Sequence, residues 1–233
     1  RPHNAEIGDK IFIYGSGFHN IATVRIYFSS DYARLDDEIN DKVTAYKLVK
    51  STCPDKEDRF ETSFIVPDEL TDGKEIKDVH GGTYYIYATD YRSDEIIAVD
   101  ELTVTGIELD TKEGAVGTQV EIRGGGFDDK EKMVFRYDGA QIHPVNGKVT
   151  TNKYGEFTCT IIIPQSVTGE HTITAEDESR NKVRAEFAVR SEITIATTLG
   201  SPNIEVTVIG TGFSSKSNIT IFFGNYELVR GET

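Results

Sequence analysis

The pattern G-x-G-F occurs three times in this chain, each time at the end of an alternating apolar run. The three copies are IFIYGSGF at 11–18, VEIRGGGF at 120–127 and VTVIGTGF at 206–213. A second apolar run follows each copy: VRIYF at 24–28, MVFRY at 133–137 and ITIFF at 219–223. This recurring order predicts a string of similar structural units.

Later segments of the unit also recur, and they set the module boundaries. FETSFIVP (60–67) corresponds to FTCTIIIP (157–164), and GTYYIYATD (82–90) corresponds to GEHTITAED (169–177). We therefore predict module one over residues 1–104, module two over residues 105–190, and unit three, the opening half of a third module, over residues 191–233. Relative to module two, module one carries insertions at 29–59 and 68–81.

Strand signals dominate the chain. In VEIRGGGF, Val120 and Ile122 alternate with Glu121 and Arg123, which gives one apolar and one polar face. Runs of this type about ten residues apart, separated by Gly, Pro, Asn and Asp, predict an all-β fold of tandem immunoglobulin-like β-sandwiches, two complete and one partial. In module two the predicted strands are A 105–110, B 118–123, C 132–137, E 156–163, F 170–176 and G 182–189. Helical patterning is confined to residues 31–40.

The glycines of G-x-G-F have a mechanical interpretation. The chain leaves strand B through a sharp turn that needs dihedral angles open to glycine, and the following phenylalanine packs over the core. A phosphate-binding loop would lead from a strand into a helix, whereas here another strand follows.

The chain is acidic, with 25 Lys and Arg against 39 Asp and Glu and a net charge of −14. A surface of this sign repels phosphate backbones and anionic lipid, so we expect no nucleic-acid partner. No apolar stretch approaches the roughly eighteen residues of a membrane span. Since unit three ends after its opening half and the first residue is Arg1, we expect a segment of a longer protein.

The combination of V-x-I-x-G-x-G-F, an apolar strand, G-x-F-x-x-x-(I/V)-x-(I/V)-P and G-x-x-x-I-x-A-x-D resembles the IPT/TIG domain, the immunoglobulin-like fold of plexins and transcription factors. The tandem forms of prokaryotic surface proteins are the most similar. The resemblance implies extracellular rods, adhesins or surface-layer subunits, modules beside polysaccharide-degrading catalytic domains, or DNA-contacting regulators. Its motifs are turns and core positions, so they specify fold more than function.

Catalytic groups do not converge in the sequence. The five histidines have no metal-ligand spacing, and no G-x-S-x-G elbow occurs; the histidines are His3, His19, His80, His143 and His171. Cys53 and Cys159 lie at non-equivalent positions of different modules, which favours two unpaired thiols. We therefore expect a protein that is not an enzyme.

Carboxylates offer one candidate ion site. In a sandwich of this connectivity, the start of strand A, the B–C loop and the F–G loop lie at one end, which predicts a cluster near the junction with module one. Its members are Glu108, Asp110, Asp128, Asp129, Glu176, Asp177 and Glu178. Calcium binds such oxygen-rich junctions. The alternative, which we favour, is a set of solvated loop acids.

Two tyrosines form a candidate contact surface. Ile86 and Ala88 match core positions of module two, so Tyr85 and Tyr87 are predicted on the outer face of their strand. Exposed tyrosines stack on sugars or contact proteins, whereas cover by the insertion at 29–59 is the simpler account.

Unit three lacks an opposing sheet, since residues 193–233 contain strands A, B and C only. The apolar side chains of these strands predict strand exchange with another copy or packing against module two. For the whole chain we expect a structural or adhesive part of a prokaryotic cell-surface or surface-layer protein. The alternative is an accessory or carbohydrate-binding module of a secreted polysaccharide-active enzyme; a regulator contacting DNA is a third class.

Overall fold

The computed structural model describes residues 4–196, 199–201 and 204–232. Strands make up 54% of the protein and helix 2%, which confirms the predicted all-β class of immunoglobulin-like sandwiches. The helix α1 (Ile39–Lys42) lies at the end of the segment predicted to be helical, 31–40, and extends two residues beyond it.

Module one contains eight strands: β1 (Lys10–Ser16), β2 (Val24–Ser29), β3 (Tyr46–Thr52), β4 (Arg59–Ile65), β5 (Glu69–Leu70), β6 (Lys77–Asp78), β7 (Gly82–Asp90) and β8 (Ile96–Val104). One sheet has the order β3-β2-β7-β8, and the facing sheet is the antiparallel pair β1-β4. The insertion at 29–59 thus supplies an edge strand, β3, while the insertion at 68–81 forms the short hairpin β5-β6.

Module two contains nine strands: β9 (Gly106–Leu109), β10 (Glu113–Gly114), β11 (Gln119–Gly125), β12 (Val134–Tyr137), β13 (Ala140–Ile142), β14 (Asn146–Gly147), β15 (Phe157–Ile162), β16 (Gly169–Glu176) and β17 (Lys182–Val189). They form two sheets, β14-β15-β11-β9 and β10-β17-β16-β12-β13. The predicted strands A, B, C, E, F and G correspond to β9, β11, β12, β15, β16 and β17.

The core of module two lies between these sheets, where the alternation of the sequence placed it. Val120 and Ile122 of β11 are fully buried, and Phe135 of β12 and Phe187 of β17 face them across the sandwich. Module one has an equivalent core around Phe28, Phe64 and Tyr84. It also has a second buried layer on the outer face of its four-stranded sheet.

Unit three contains β18 (Glu192–Ile195), β19 (Val208–Thr211), β20 (Asn218–Phe223) and β21 (Tyr226–Glu232). β18 pairs with β19, and β20 forms a hairpin with β21. The sequence predicted only strands A, B and C here, so β21 is a correction: Gly224 adopts a φ of 60°, which turns the chain back on itself. Phe223 is 76% exposed and Tyr226 79%.

The two glycines of G-x-G-F have different tasks. Gly126 has a φ of 77°, as the turn interpretation predicted, whereas Gly124 leaves room for an aromatic ring. A Cβ on Gly124 would lie 2.1 Å from the ring of Phe157 on β15. Module one repeats this contact between Gly15 and Phe60. The pattern therefore encodes the closure of the sandwich as well as the turn.

We predict that Gly124→Ala lowers the free energy of unfolding of module two by about 1–3 kcal/mol, because the added methyl group overpacks the site. Urea unfolding followed by circular dichroism measures the change. Gly231→Ala is the control, since a Cβ there meets nothing within 4 Å, and it should change stability by less than about 0.5 kcal/mol. If the contact with the ring is the cause, Phe157→Leu combined with Gly124→Ala costs less than the sum of the single changes.

Candidate functional site

At the junction between modules one and two, the backbone at Gly81 of module one lies directly against the backbone at Gly106 and Gly125 of module two. A Cβ on Gly81 would lie 2.4 Å from the carbonyl oxygens of both Gly106 and Gly125. A Cβ on Gly106 would lie 2.7 Å from the amide nitrogen of Gly81. Three glycines from separate segments therefore allow the two modules to meet backbone to backbone.

Side chains from both modules converge on one carbonyl at this junction. The Asn4 amide and the Thr105 hydroxyl each donate to the Gly126 carbonyl oxygen at 2.8 Å. The same arrangement begins unit three, where the Ser191 hydroxyl donates to the Gly212 carbonyl at 2.9 Å. The G-x-G-F turn thus serves as an attachment point for the linker that precedes it.

The insertion at 68–81 also contacts this junction. Asp78 of β6 forms an ion pair of 2.9 Å with Lys112 of module two. His80 Nε2 lies 3.9 Å from Glu108 Oε2 on β9. The insertion therefore extends module one onto its neighbour.

The predicted carboxylate cluster is only partly correct. Asp128 and Asp177 do come together, and Glu131, which the sequence analysis did not select, is the third member; their oxygens lie within 4.8 Å of one another. Asp177 is buried and accepts from the Asn181 backbone and side-chain amides at 2.8 and 2.7 Å. Glu131 accepts from the backbone and hydroxyl of Ser179. Calcium at this end of module two remains a prediction that rests on these three groups.

The other five predicted acids do not join the cluster. Glu176 pairs with Arg136 at 2.6 Å, and Asp110 accepts the Glu121 amide at 2.9 Å. Glu108 faces His80, while Asp129 and Glu178 are exposed. Glu176 is the last residue of β16, whereas Asp177 lies beyond the strand at the start of the turn to β17, so these neighbours in sequence have different partners.

Tyr87 is not an exposed contact residue, which corrects the prediction for it. Its side chain is fully buried on the outer face of the sheet, beneath Ala33, Ile39 and Val43 of the insertion at 29–59. The hydroxyl accepts from the Ala33 amide at 2.6 Å and donates to the Asp31 carbonyl at 2.7 Å. Burial raises the pKa of Tyr87 to about 12. Cover by the insertion is thus the correct account of this residue.

Tyr85 is half-buried, and a tyrosine of the insertion stands beside it. The ring of Tyr32 meets that of Tyr85 edge-on, with centroids 5.2 Å apart, and Tyr32 is 59% exposed. The accessible aromatic patch therefore consists of Tyr32 and the edge of Tyr85. Sequence reasoning missed Tyr32 because the insertion has no counterpart in the other units.

His171 lies on β16, and both of its ring nitrogens have hydrogen-bond partners. Its Nδ1 lies 2.6 Å from Asp138 Oδ2 and its Nε2 lies 2.7 Å from the Val167 carbonyl oxygen. Burial opposes the charged ring, but these hydrogen bonds outweigh it and raise the pKa of His171. Both ring nitrogens face acceptors, which suits a doubly protonated imidazolium. His3 lies outside the described residues.

The two cysteines are free, as predicted. Cys53 is exposed, and Cys159 lies in the core of module two. Burial raises the pKa of the Cys159 thiol to about 12, so it is held in the neutral form. In the described parts of the chain, no helix has the length and apolarity to cross a membrane.

We predict that His171 stabilises module two more at about pH 5.5 than at about pH 8. A histidine whose folded pKa exceeds its ordinary value of 6.5 contributes stability below that value and loses it as pH rises through the folded pKa. The partner remains charged over this range, because hydrogen bonds from His171 and the Thr172 amide outweigh burial and lower the pKa of Asp138.

The measurement is the melting temperature at both pH values. His171→Gln should flatten the pH dependence relative to the unaltered chain, whereas His143→Gln, at an exposed position, should leave it unchanged. An identical pH dependence in the His171→Gln variant would contradict the assignment.

No protein-family model matches this chain, and no curated protein matches it either. Among solved structures, it is similar to the Bacteroides ovatus SGBP-B of a mixed-linkage glucan utilization locus, with 15% identity and a TM-score of 0.29 over 82% of this chain. The chain spans 44% of that protein's length. It is also similar to a two-domain segment of intimin, with 12% identity and a TM-score of 0.27, over 80% of this chain and 93% of that one. A tandem immunoglobulin pair of titin gives 10% identity and a TM-score of 0.27, over 80% and 90% of the two chains.

Proposed function

We propose that this chain is a non-enzymatic structural segment of a prokaryotic cell-surface or secreted protein, in which immunoglobulin-like modules of the IPT/TIG type are held end to end. The observation that carries the proposal is the junction at Gly81, Gly106 and Gly125. Segments that meet backbone to backbone leave little room for hinge motion, because any side chain between them would separate the modules. A stiff junction suits a spacer, an adhesive stalk or a surface-layer subunit.

The polar contacts at the junction support the same role. The Asn4–Gly126 hydrogen bond and the Asp78–Lys112 ion pair join module one to module two, and the Thr105 hydroxyl attaches the start of module two to the same carbonyl. Hydrogen bonds of this kind are each worth about 0.5–1.5 kcal/mol, and the exposed ion pair adds little. Orientation therefore depends mainly on the glycine contacts.

We predict that Gly106→Val uncouples the two modules, because its Cβ would meet the backbone of Gly81. Residual dipolar couplings of the unaltered chain should fit a single alignment tensor for modules one and two. Those of the Gly106→Val variant should need two tensors, while each module keeps its own fold. Lys112→Gln, which removes only the exposed ion pair, is the control and should retain a single tensor. A requirement for two tensors in the unaltered chain would contradict the proposed role.

The second candidate is a carbohydrate-binding module of a secreted polysaccharide-active enzyme, and the observation that favours it is the Tyr32–Tyr85 patch. An exposed ring held edge-on by another ring presents a preorganised apolar face, which is the surface that sugar rings stack against. The acidic surface of the module does not oppose a neutral polysaccharide.

If this candidate is correct, soluble mixed-linkage glucan or xylan retards the protein in affinity electrophoresis. Tyr32→Ala should abolish the retardation, since it removes the exposed ring. Tyr154→Ala is the matched control, because Tyr154 is 69% exposed but lies in module two. Retardation that persists in the Tyr32→Ala variant would place carbohydrate binding elsewhere.

A further inference from the structure

One side chain near the start of strand F is hydrogen-bonded to the preceding loop in both modules. In module two, strand F is β16, the β15–β16 loop comprises residues 163–168, and His171 Nε2 lies 2.7 Å from the Val167 carbonyl oxygen. In module one, the residue that matches His171 is Tyr84, and the residue four positions earlier is His80. The His80 amide donates to the Tyr84 hydroxyl at 3.0 Å. The same two positions are therefore joined in both modules, by a tyrosine in one and by a histidine in the other.

This loop is also the part of each module that meets the next unit. In module two, Val167 forms a parallel backbone bridge with Gly212, the second glycine of G-x-G-F in unit three. In module one, Gly81 lies at the matching end of the loop, and its backbone meets that of Gly125. The side chain that holds the loop therefore also holds the surface on which the next unit rests.

Both ring nitrogens of His171 face acceptors, and only the charged ring has a proton for each. Nδ1 lies 2.6 Å from Asp138 Oδ2, while Nε2 faces the Val167 carbonyl oxygen. The neutral ring has a single N–H and must give up one of these two contacts. A carboxylate is the stronger acceptor, so the remaining proton stays on Nδ1. The lone pair of Nε2 then faces those of the carbonyl oxygen, and the ring no longer holds the loop.

The surroundings of the ring favour this choice of proton. The Thr172 amide donates to Asp138 Oδ1 at 2.9 Å, which fixes the carboxylate beside Nδ1. Glu170 adds negative charge from the same strand. Tyr137 stacks on the ring with centroids 5.2 Å apart, and it stays neutral because burial raises its pKa. Phe187 lies opposite on β17, and the β15–β16 loop has no titratable side chain.

We propose that the connection between module two and unit three is a pH-sensitive joint, in which charged His171 holds the β15–β16 loop against Gly212 and loss of one proton releases it. The pKa of His171 is raised above 6.5, so the joint is firm below that value and loosens as the pH rises through the folded pKa. This inference rests on the proposed structural role and adds its regulation. The tensor shared by modules one and two tests that role separately.

The test compares residual dipolar couplings of the whole chain at about pH 5.5 and about pH 8.5, on either side of the ordinary histidine pKa. In the unaltered chain, module two and unit three should fit a single alignment tensor at the lower pH and need two at the higher pH. Modules one and two should share a tensor at both, since the backbone contacts of Gly81 do not titrate. The half-exposed His80–Glu108 pair at that junction contributes little.

Asp138→Asn changes the position of the proton without removing the histidine. The asparagine oxygen can accept the Thr172 amide, and its NH2 group can donate to Nδ1, which leaves the proton of the neutral ring on Nε2. This variant should therefore keep a single tensor for module two and unit three at both pH values. His171→Leu has no donor for the Val167 carbonyl and should need two tensors at both. The couplings within each module show whether a variant keeps its fold.

The nitrogen-15 shifts of the ring identify the tautomer directly. At about pH 8.5 the neutral ring should carry its proton on Nδ1 in the unaltered chain and on Nε2 in Asp138→Asn. His143→Gln, at an exposed position of module two, is the control and should loosen with pH as the unaltered chain does.

Two results would overturn the proposal. One is an unaltered chain in which module two and unit three share a tensor at both pH values or need two at both. The other is an Asp138→Asn chain that loosens between the two pH values, or a neutral His171 that carries its proton on Nε2 in the unaltered chain.

Discussion

The closure of each sandwich depends on one contact, between a glycine of strand B and a phenylalanine ring of the facing strand. Gly124 lies against Phe157 and Gly15 against Phe60, at distances that exclude a Cβ. Two residues later a second glycine, in the left-handed region, turns the chain toward strand C. Since both glycines lie at the same end, this end of the sandwich is compact enough for another module to abut it.

The junction follows from that compact end. The Gly126 carbonyl, freed by the turn, accepts hydrogen bonds from Asn4 and Thr105, and the backbone of Gly125 meets that of Gly81. The repeated Ser191–Gly212 bond indicates that the turn has the same connecting task in unit three.

Both insertions of module one cover surface rather than expose it. Residues 29–59 add β3 and bury Tyr87, and residues 68–81 place Asp78 and His80 against module two. What remains exposed beside them is the aromatic patch of Tyr32 and Tyr85.

The local pattern of the sequence determined the strands, the turns and the repeat. Alternation of apolar and polar residues depends on neighbours in sequence, which is why the six main strands of module two and the core positions Ile86 and Ala88 were predictable. The carboxylates were harder: Asp128 and Asp177 were selected with five acids that lie elsewhere, and Glu131 was missed.

Only the tertiary structure decided that Gly81, Gly106 and Gly125 meet and that Ala33 and Ile39 bury Tyr87. These outcomes depend on how separate segments pack in space, and residues far apart along the chain leave no periodic signal of such contacts. The backbone turns were therefore determined by local sequence, whereas which surfaces are covered was decided by packing.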